Sequence, residues 1–199
     1  GIGSIAVIAA WRLPGARFVT VEAQEQSIRL SRKSIRYNGL DSRFTLYEGD
    51  LRDQELLADE APFDLVFGSP PYWPPGTAVE AEHSQAVAAR FETRGNLADY
   101  AAAAVQALAP GGVFVFVAPL NASIGDAALV VLRRREVVFK EGRPPIIFLG
   151  LAGRRGDYPA SLRTWIEPPL TIRTADGNIT DEYSAIRLAF GFPPGIGEE

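Results

Sequence analysis

The chain has 199 residues, 47% of them hydrophobic and 22% charged, which suits one folded domain with a sizeable core and excludes a disordered or fibrous chain. One histidine and no cysteine exclude a disulfide framework and a Cys-ligated zinc, so no metal is expected in the chemistry. The net charge of −4 excludes a uniformly basic nucleic-acid binder, although residues 133–155 carry seven basic side chains against two acidic ones.

In chain order, the pattern predicts a helix at 4–12, a strand at 17–22, a helix at 24–38 and a strand at 43–48. A helix at 53–61, a strand at 63–68, a helix at 97–109 and a strand at 113–118 follow. A helix at 122–135 and strands at 136–140 and 146–152 complete the regular alternation. Short β-rich runs between longer helical patterns are the mark of βαβ units, so the expected fold class is α/β with a mostly parallel sheet and helices on both faces. Residues 72–96 and everything after 153 break the alternation. The tail at 154–199 reads as a terminal hairpin or flap on the same single domain, because Ala175-Asp176-Gly177-Asn178 is a turn signal. No apolar run reaches the eighteen or so residues of a membrane span. No signal peptide is visible either, so a cytoplasmic monomer that keeps clear of membranes is expected.

Two strand tips carry the marks of a nucleotide site. Gly1-Ile2-Gly3 leads directly into the first helix, where glycines let a ligand approach the backbone. Glu22, with Ala23 after it, ends the next strand nineteen residues beyond Gly3, placed to accept bonds from two ribose hydroxyls. This pair alone also suits a nicotinamide dinucleotide. Asp50 follows the third element's strand, where it could accept from an adenine amino group while Leu51 donates its backbone N–H.

The strand at 63–68 then stops at Ser69-Pro70-Pro71-Tyr72. Prolines fix φ and leave a carbonyl projecting instead of continuing a ladder. Two acids on successive strand tips, followed by a Pro-Pro-aromatic corner, resemble the class I S-adenosylmethionine-dependent methyltransferases. Ser69 to Tyr72 matches the [DNS]-P-P-[YFW] signature of those that methylate amino groups.

That resemblance implies a Rossmann-like, mostly parallel seven-stranded sheet with S-adenosyl-L-methionine as cofactor. Gly1 and Gly3 match the last two glycines of the family's D/E-x-G-x-G-x-G motif. The strand and acid before that motif are not in the sequence, so a first strand upstream of Gly1 is expected. Gly1, Gly3, Glu22, Ala23, Asp50, Leu51 and Ser69 would hold the cofactor. The Ser69 side chain and the Pro70 carbonyl would hold the amine's N–H bonds, so that a delocalised lone pair can attack the methyl group. Pro71 would brace the turn, and Tyr72 would stack on a base taken out of its helix or loop, with Trp73 beside it.

Over nearly its whole length the chain is similar to the bacterial tRNA adenine-N6 methyltransferases that act beside the anticodon of a valine tRNA. The stretch from "GSPPYWPPG" to "LAPGGVFVFV" and the tail "EPPLTIRTADGNITDEY" carry this likeness. The family usually has Asn where Ser69 stands, and Ser is common in the DNA cytosine-N4 enzymes. Its A-R-H-E element is Ala89-Arg90-Phe91-Glu92 here, which makes Arg90 a candidate substrate contact. Arg134, Arg135 and Arg154 are candidate contacts to tRNA phosphates. Alternatives are another acceptor amine (cytosine N4 in DNA, guanine N2 in rRNA, glutamine N5 in protein) or a catalytically silent binding module.

Overall fold

The computed structural model describes residues 2–53, 55–71, 95–125 and 128–194. Gly1, Tyr72, Trp73 and Arg90 lie outside the described residues. The elements are α1 (Ser4–Arg12), β1 (Phe18–Glu22), α2 (Glu25–Tyr37), β2 (Phe44–Glu48) and β3 (Phe63–Gly68). Then come α3 (Leu97–Ala107), β4 (Leu108–Pro119), β5 (Leu129–Val138), β6 (Ile147–Arg154), β7 (Trp165–Thr171) and α4 (Asp181–Ala189).

Glycine and proline punctuation sets the early boundaries. α1 begins on Gly3, whose φ of 80° only glycine adopts without strain, and Val7 donates back to its carbonyl. α3 begins on a capping box: Asn96 Oδ1 accepts from the N–H groups of Ala98 and Asp99 while Asp99 Oδ2 accepts from Asn96 N–H. The helix stops two residues short of the expected end, because Leu108 already pairs with Phe63 and starts β4.

Among the described residues seven strands form two sheets, β1–β2 and β3–β4–β6–β5–β7. β1 with β2, β3 with β4 and β5 with β7 are parallel, and β6 runs antiparallel to both β4 and β5. β3, β4 and β5 therefore all point the same way. A seven-stranded sheet whose first strand lies upstream of Gly1 is expected from the sequence, and among the described residues β1 and β3 are not hydrogen-bonded to each other. Both instead line one cavity.

Alternate residues of β4, Phe114, Phe116 and Ala118, are buried against Leu97, Ala101 and Ala104 of α3. Phe116 stacks on Phe114 and meets Phe148 edge to face. It also fills the space over Gly150, its cross-strand partner, where any side chain would collide with the ring. Burying a Phe side chain contributes about 1.5–3 kcal/mol, so this aromatic ladder dominates the core. On β3, Val66 packs into that cluster while Phe67 packs on Ala6, Ala10 and Phe18. Neighbouring strand residues face opposite ways, so α3 and α1 cover opposite faces.

Two expected helices do not form as read, those at 122–135 and 53–61. The helix expected at 122–135 is absent over its second half, because Leu129–Val138 is a strand held between β6 and β7. Arg134 and Arg135 therefore lie on a strand. Residues 55–60 form successive turns, not a helix. The tail holds the expected hairpin turn at Asp176-Gly177, closed by an Arg173–Ile179 bridge, and with it an edge strand, Trp165–Thr171, and α4, which Thr180 caps by accepting from Tyr183 N–H.

Candidate active site

The site is built where β1, β2 and β3 end. Gly3, Glu22, Leu51 and Ser69 border one cavity of about 930 Å³, which also runs back between β1 and β3 as far as Phe18 and Phe63. The sequence reading assigned the first four to a cofactor, and the fold brings them together from four separate segments.

Each is positioned by a local cause. A Cβ on Gly3 would stand 3.2 Å from Ser31 Oγ, so the α1 turn lies close against α2. Glu22, only 9% exposed, accepts from Gln24 N–H at 2.8 Å and so is held at the start of α2. Gly49 N–H donates to the Glu22 carbonyl at 3.0 Å, which ties the tips of β1 and β2. Asp50 is gripped by Arg52: Oδ1 accepts from Arg52 N–H and Nε, each at 2.9 Å, and Oδ2 lies 2.5 Å from Nη2. That bond and the Asp50 charge raise the Arg52 pKa. An adenine amino group reaching Asp50 would share it with this arginine.

At the β3 tip Ser69 is exposed, Pro70 is fully buried and Pro71 half-buried. The buried proline anchors the corner and leaves the serine at its surface. Behind it stands Tyr100 of α3, which the sequence reading did not single out. Burial raises the Tyr100 phenol pKa, and the negative charge of Asp50 adds to the shift. The available signal was the Asn96–Asp99 capping box, which puts residue 100 in the first helical turn beside the corner.

These residues fit a nucleoside cofactor on the structure's own terms. The α1 turn is glycine-built at Gly3, the Glu22 carboxylate sits at a strand tip, and Leu51 and Ser69 border the same cavity.

The three arginines assigned to RNA are engaged elsewhere. Arg134 donates to the Leu120 carbonyl at 3.1 Å and lies 3.9 Å over the Phe148 ring, level with Gly68 in the sheet. Arg135 donates to the Pro168 carbonyl at 2.9 Å and pairs with Glu182. Arg154 donates to the carbonyls of Val105 and Leu108, at the opposite end of the sheet from Ser69. Arg134 and Arg135 are near the corner's level, and Arg154 is not. Among the described residues there is no cluster of His, Cys, Asp and Glu fit for a metal, and no helix is long and apolar enough to cross a membrane.

No protein-family profile matches the chain. A release factor glutamine methyltransferase of Chlorobaculum tepidum is 32% identical over 58% of the chain and 42% of its own length. A tRNA1(Val) (adenine(37)-N6)-methyltransferase of Escherichia fergusonii is 25% identical over 96% of the chain and 77% of its own length. The chain thus spans less than half of the first relative. Among solved structures, a predicted O-methyltransferase of Agrobacterium tumefaciens superposes with a TM-score of 0.67 over 97% of this chain and 86% of its own, at 16% identity. The chain therefore has the class I methyltransferase fold, and in sequence it resembles the tRNA1(Val) adenine-37 N6-methyltransferases along nearly its whole length.

Proposed function

We propose that the protein is an S-adenosyl-L-methionine-dependent amino methyltransferase, and that its acceptor is adenine N6 in a tRNA. One observation carries the reading: Ser69, at a proline-braced strand tip, borders the same cavity as Gly3, Glu22 and Leu51. An amine held at the corner would then face a cofactor held at the glycine turn and the acidic tip.

The cofactor supplies an activated methyl group on a sulfonium. The chain's residues do the rest by position. The Ser69 hydroxyl and the Pro70 carbonyl accept the N–H bonds of the acceptor amine and favour the geometry in which its lone pair is free to attack. Glu22 fixes the ribose, and Gly3 lets the backbone approach the amino-acid end of the cofactor. The amine's displaced proton leaves to solvent, so no strongly shifted base is needed.

The adenine assignment is supported by the E. fergusonii relative, whose similarity extends over 96% of the chain. A protein glutamine acceptor is the second reading, favoured by the higher identity to the Chlorobaculum enzyme. Transfer of labelled methyl from S-adenosyl-L-methionine to valine tRNA, duplex DNA or a release factor separates the acceptors. Label in tRNA alone is expected. Calorimetry without detectable cofactor binding would overturn the enzyme reading in favour of a silent binding module.

A further inference from the structure

Of the seven basic residues between 133 and 155, five are built into the fold. Arg133 pairs with Glu167 and stacks on Trp165, Arg155 donates to the Leu129 carbonyl, and Arg134, Arg135 and Arg154 are bonded as described above. The remaining two, Lys140 and Arg143, stand exposed on the hairpin that joins β5 to β6, and make no hydrogen bond or ion pair through their side chains among the described residues.

We infer that this hairpin, residues 139–146, holds the phosphate backbone of an RNA substrate beside the catalytic corner. The inference rests on the RNA-methyltransferase reading and adds the surface that would grip the substrate. Three observations support it. First, β5 points the same way as β3, so its end lies on the sheet edge that carries Ser69. The pairings Gly68–Phe116, Phe116–Gly150 and Gly150–Arg134 mark one level across the sheet, and the hairpin begins five residues, about 16 Å of strand, beyond it. With about 4.8 Å between strands, β6 and β5 stand about 10 and 14 Å from β3.

Second, the hairpin is preshaped. Arg143 N–H donates to the Lys140 carbonyl at 3.0 Å, and Gly142 takes the φ of 77° that such a tight turn needs at its third position. Glu141 N–H donates to the Arg173 carbonyl at 2.8 Å, and the Glu141 carboxylate accepts from Ala175 N–H at 3.0 Å. The turn's one acid thus faces the neighbouring loop, while its two cations face solvent.

Third, the cations are flanked by apolar side chains in water. Phe139 is 48% and Ile146 60% exposed. Two cations on a rigid loop suit adjacent phosphates, and an exposed ring beside them suits an unstacked base. A base turned out towards Ser69 would leave its neighbours along this edge.

The test compares the full chain with Lys140→Gln/Arg143→Gln and with Phe139→Ala, measuring affinity for a valine tRNA transcript across a salt series and cofactor affinity by calorimetry. Loss of two phosphate contacts is expected to weaken tRNA binding about tenfold and to lower the slope of log K against log salt by about 1.4–1.8. Phe139→Ala is expected to weaken binding with the slope unchanged, and Arg32→Gln/Lys33→Gln on the exposed face of α2 to change neither. Cofactor affinity should hold in all of them. If the wild-type chain methylates tRNA while the hairpin variant keeps its affinity and slope, the hairpin role is wrong and the enzyme reading stands. If the wild-type chain binds cofactor but methylates a release factor and no RNA, the hairpin role and the tRNA acceptor are both overturned.

Discussion

A Cβ added to Gly68 would stand 2.8 Å from Cδ1 and 2.9 Å from Cε1 of Tyr100. The last residue of β3 and the first turn of α3 are thus pressed together immediately behind Ser69. Gly68→Ala must push either the tyrosine ring or the strand tip, at a cost of about 1–3 kcal/mol for an overpacked site. Methyl transfer is expected to fall more than tenfold, because small displacements of reacting groups are costly. Denaturant titration and single-turnover transfer check the two effects. In Gly68→Ala/Tyr100→Leu the lost stability should return in part.

Ser69 is the residue on which the acceptor chemistry turns. Ser69→Ala removes one acceptor for the amine's N–H bonds, and it is expected to lose most methyl transfer while calorimetric cofactor binding persists. Ser69→Asn restores a side-chain carbonyl and is expected to retain transfer. Loss of cofactor binding in Ser69→Ala would give the serine a different job.

Arg154 ties β6 to the junction of α3 and β4, where its Nε is buried without a hydrogen-bond partner among the described residues. Replacing it by Leu leaves two carbonyls with fewer donors, and stability is expected to drop by about 1–3 kcal/mol. The tRNA affinity of the folded variant should match the wild type. Thermal unfolding and binding at a temperature where both proteins are folded check this.

Tyr100 gives the protein an alkaline limit. Its pKa is raised in the folded state, first by burial and then by Asp50, from an ordinary value of 10.0. The folded state therefore holds this proton more tightly than the unfolded chain does. The stabilisation is fully present below the unfolded value and is lost as pH climbs through the folded one. Stability is expected to fall as pH rises above about 10, and Tyr100→Phe should flatten that slope. Unfolding free energies on either side of that pH, with tyrosinate absorbance alongside, are the measurement.

Elements bounded by local chemistry were legible in the sequence. α1 and β3 begin and end as read, because Gly3, Gly68 and Pro70 decide their limits locally. β5 was not, since the run Ala127-Ala128-Leu129 into Arg133-Arg134-Arg135 looks helical. Its β-branched Val130, Val131, Val137 and Val138 become decisive only when β6 and β7 are there to pair with it. α4 was hidden by the Asp176-Gly177 turn signal that precedes it. Four of the seven residues read as cofactor contacts, Gly3, Glu22, Leu51 and Ser69, border one cavity, because strand tips of an α/β fold gather at one edge. The arginines could be counted but not assigned, because charge in a sequence does not say which carbonyl or carboxylate will claim it.

The passage of β6 between β4 and β5 has a consequence for where the protein is hardest to open. Phe116 fills the space over Gly150 and meets Phe148, so β4 and β6 carry the aromatic core, whereas β7 is an edge strand with most of its side chains exposed. Segments with more buried contacts exchange their amides at higher free energy, so the amides of β4 and β6 are expected to exchange last and those of β7 earlier.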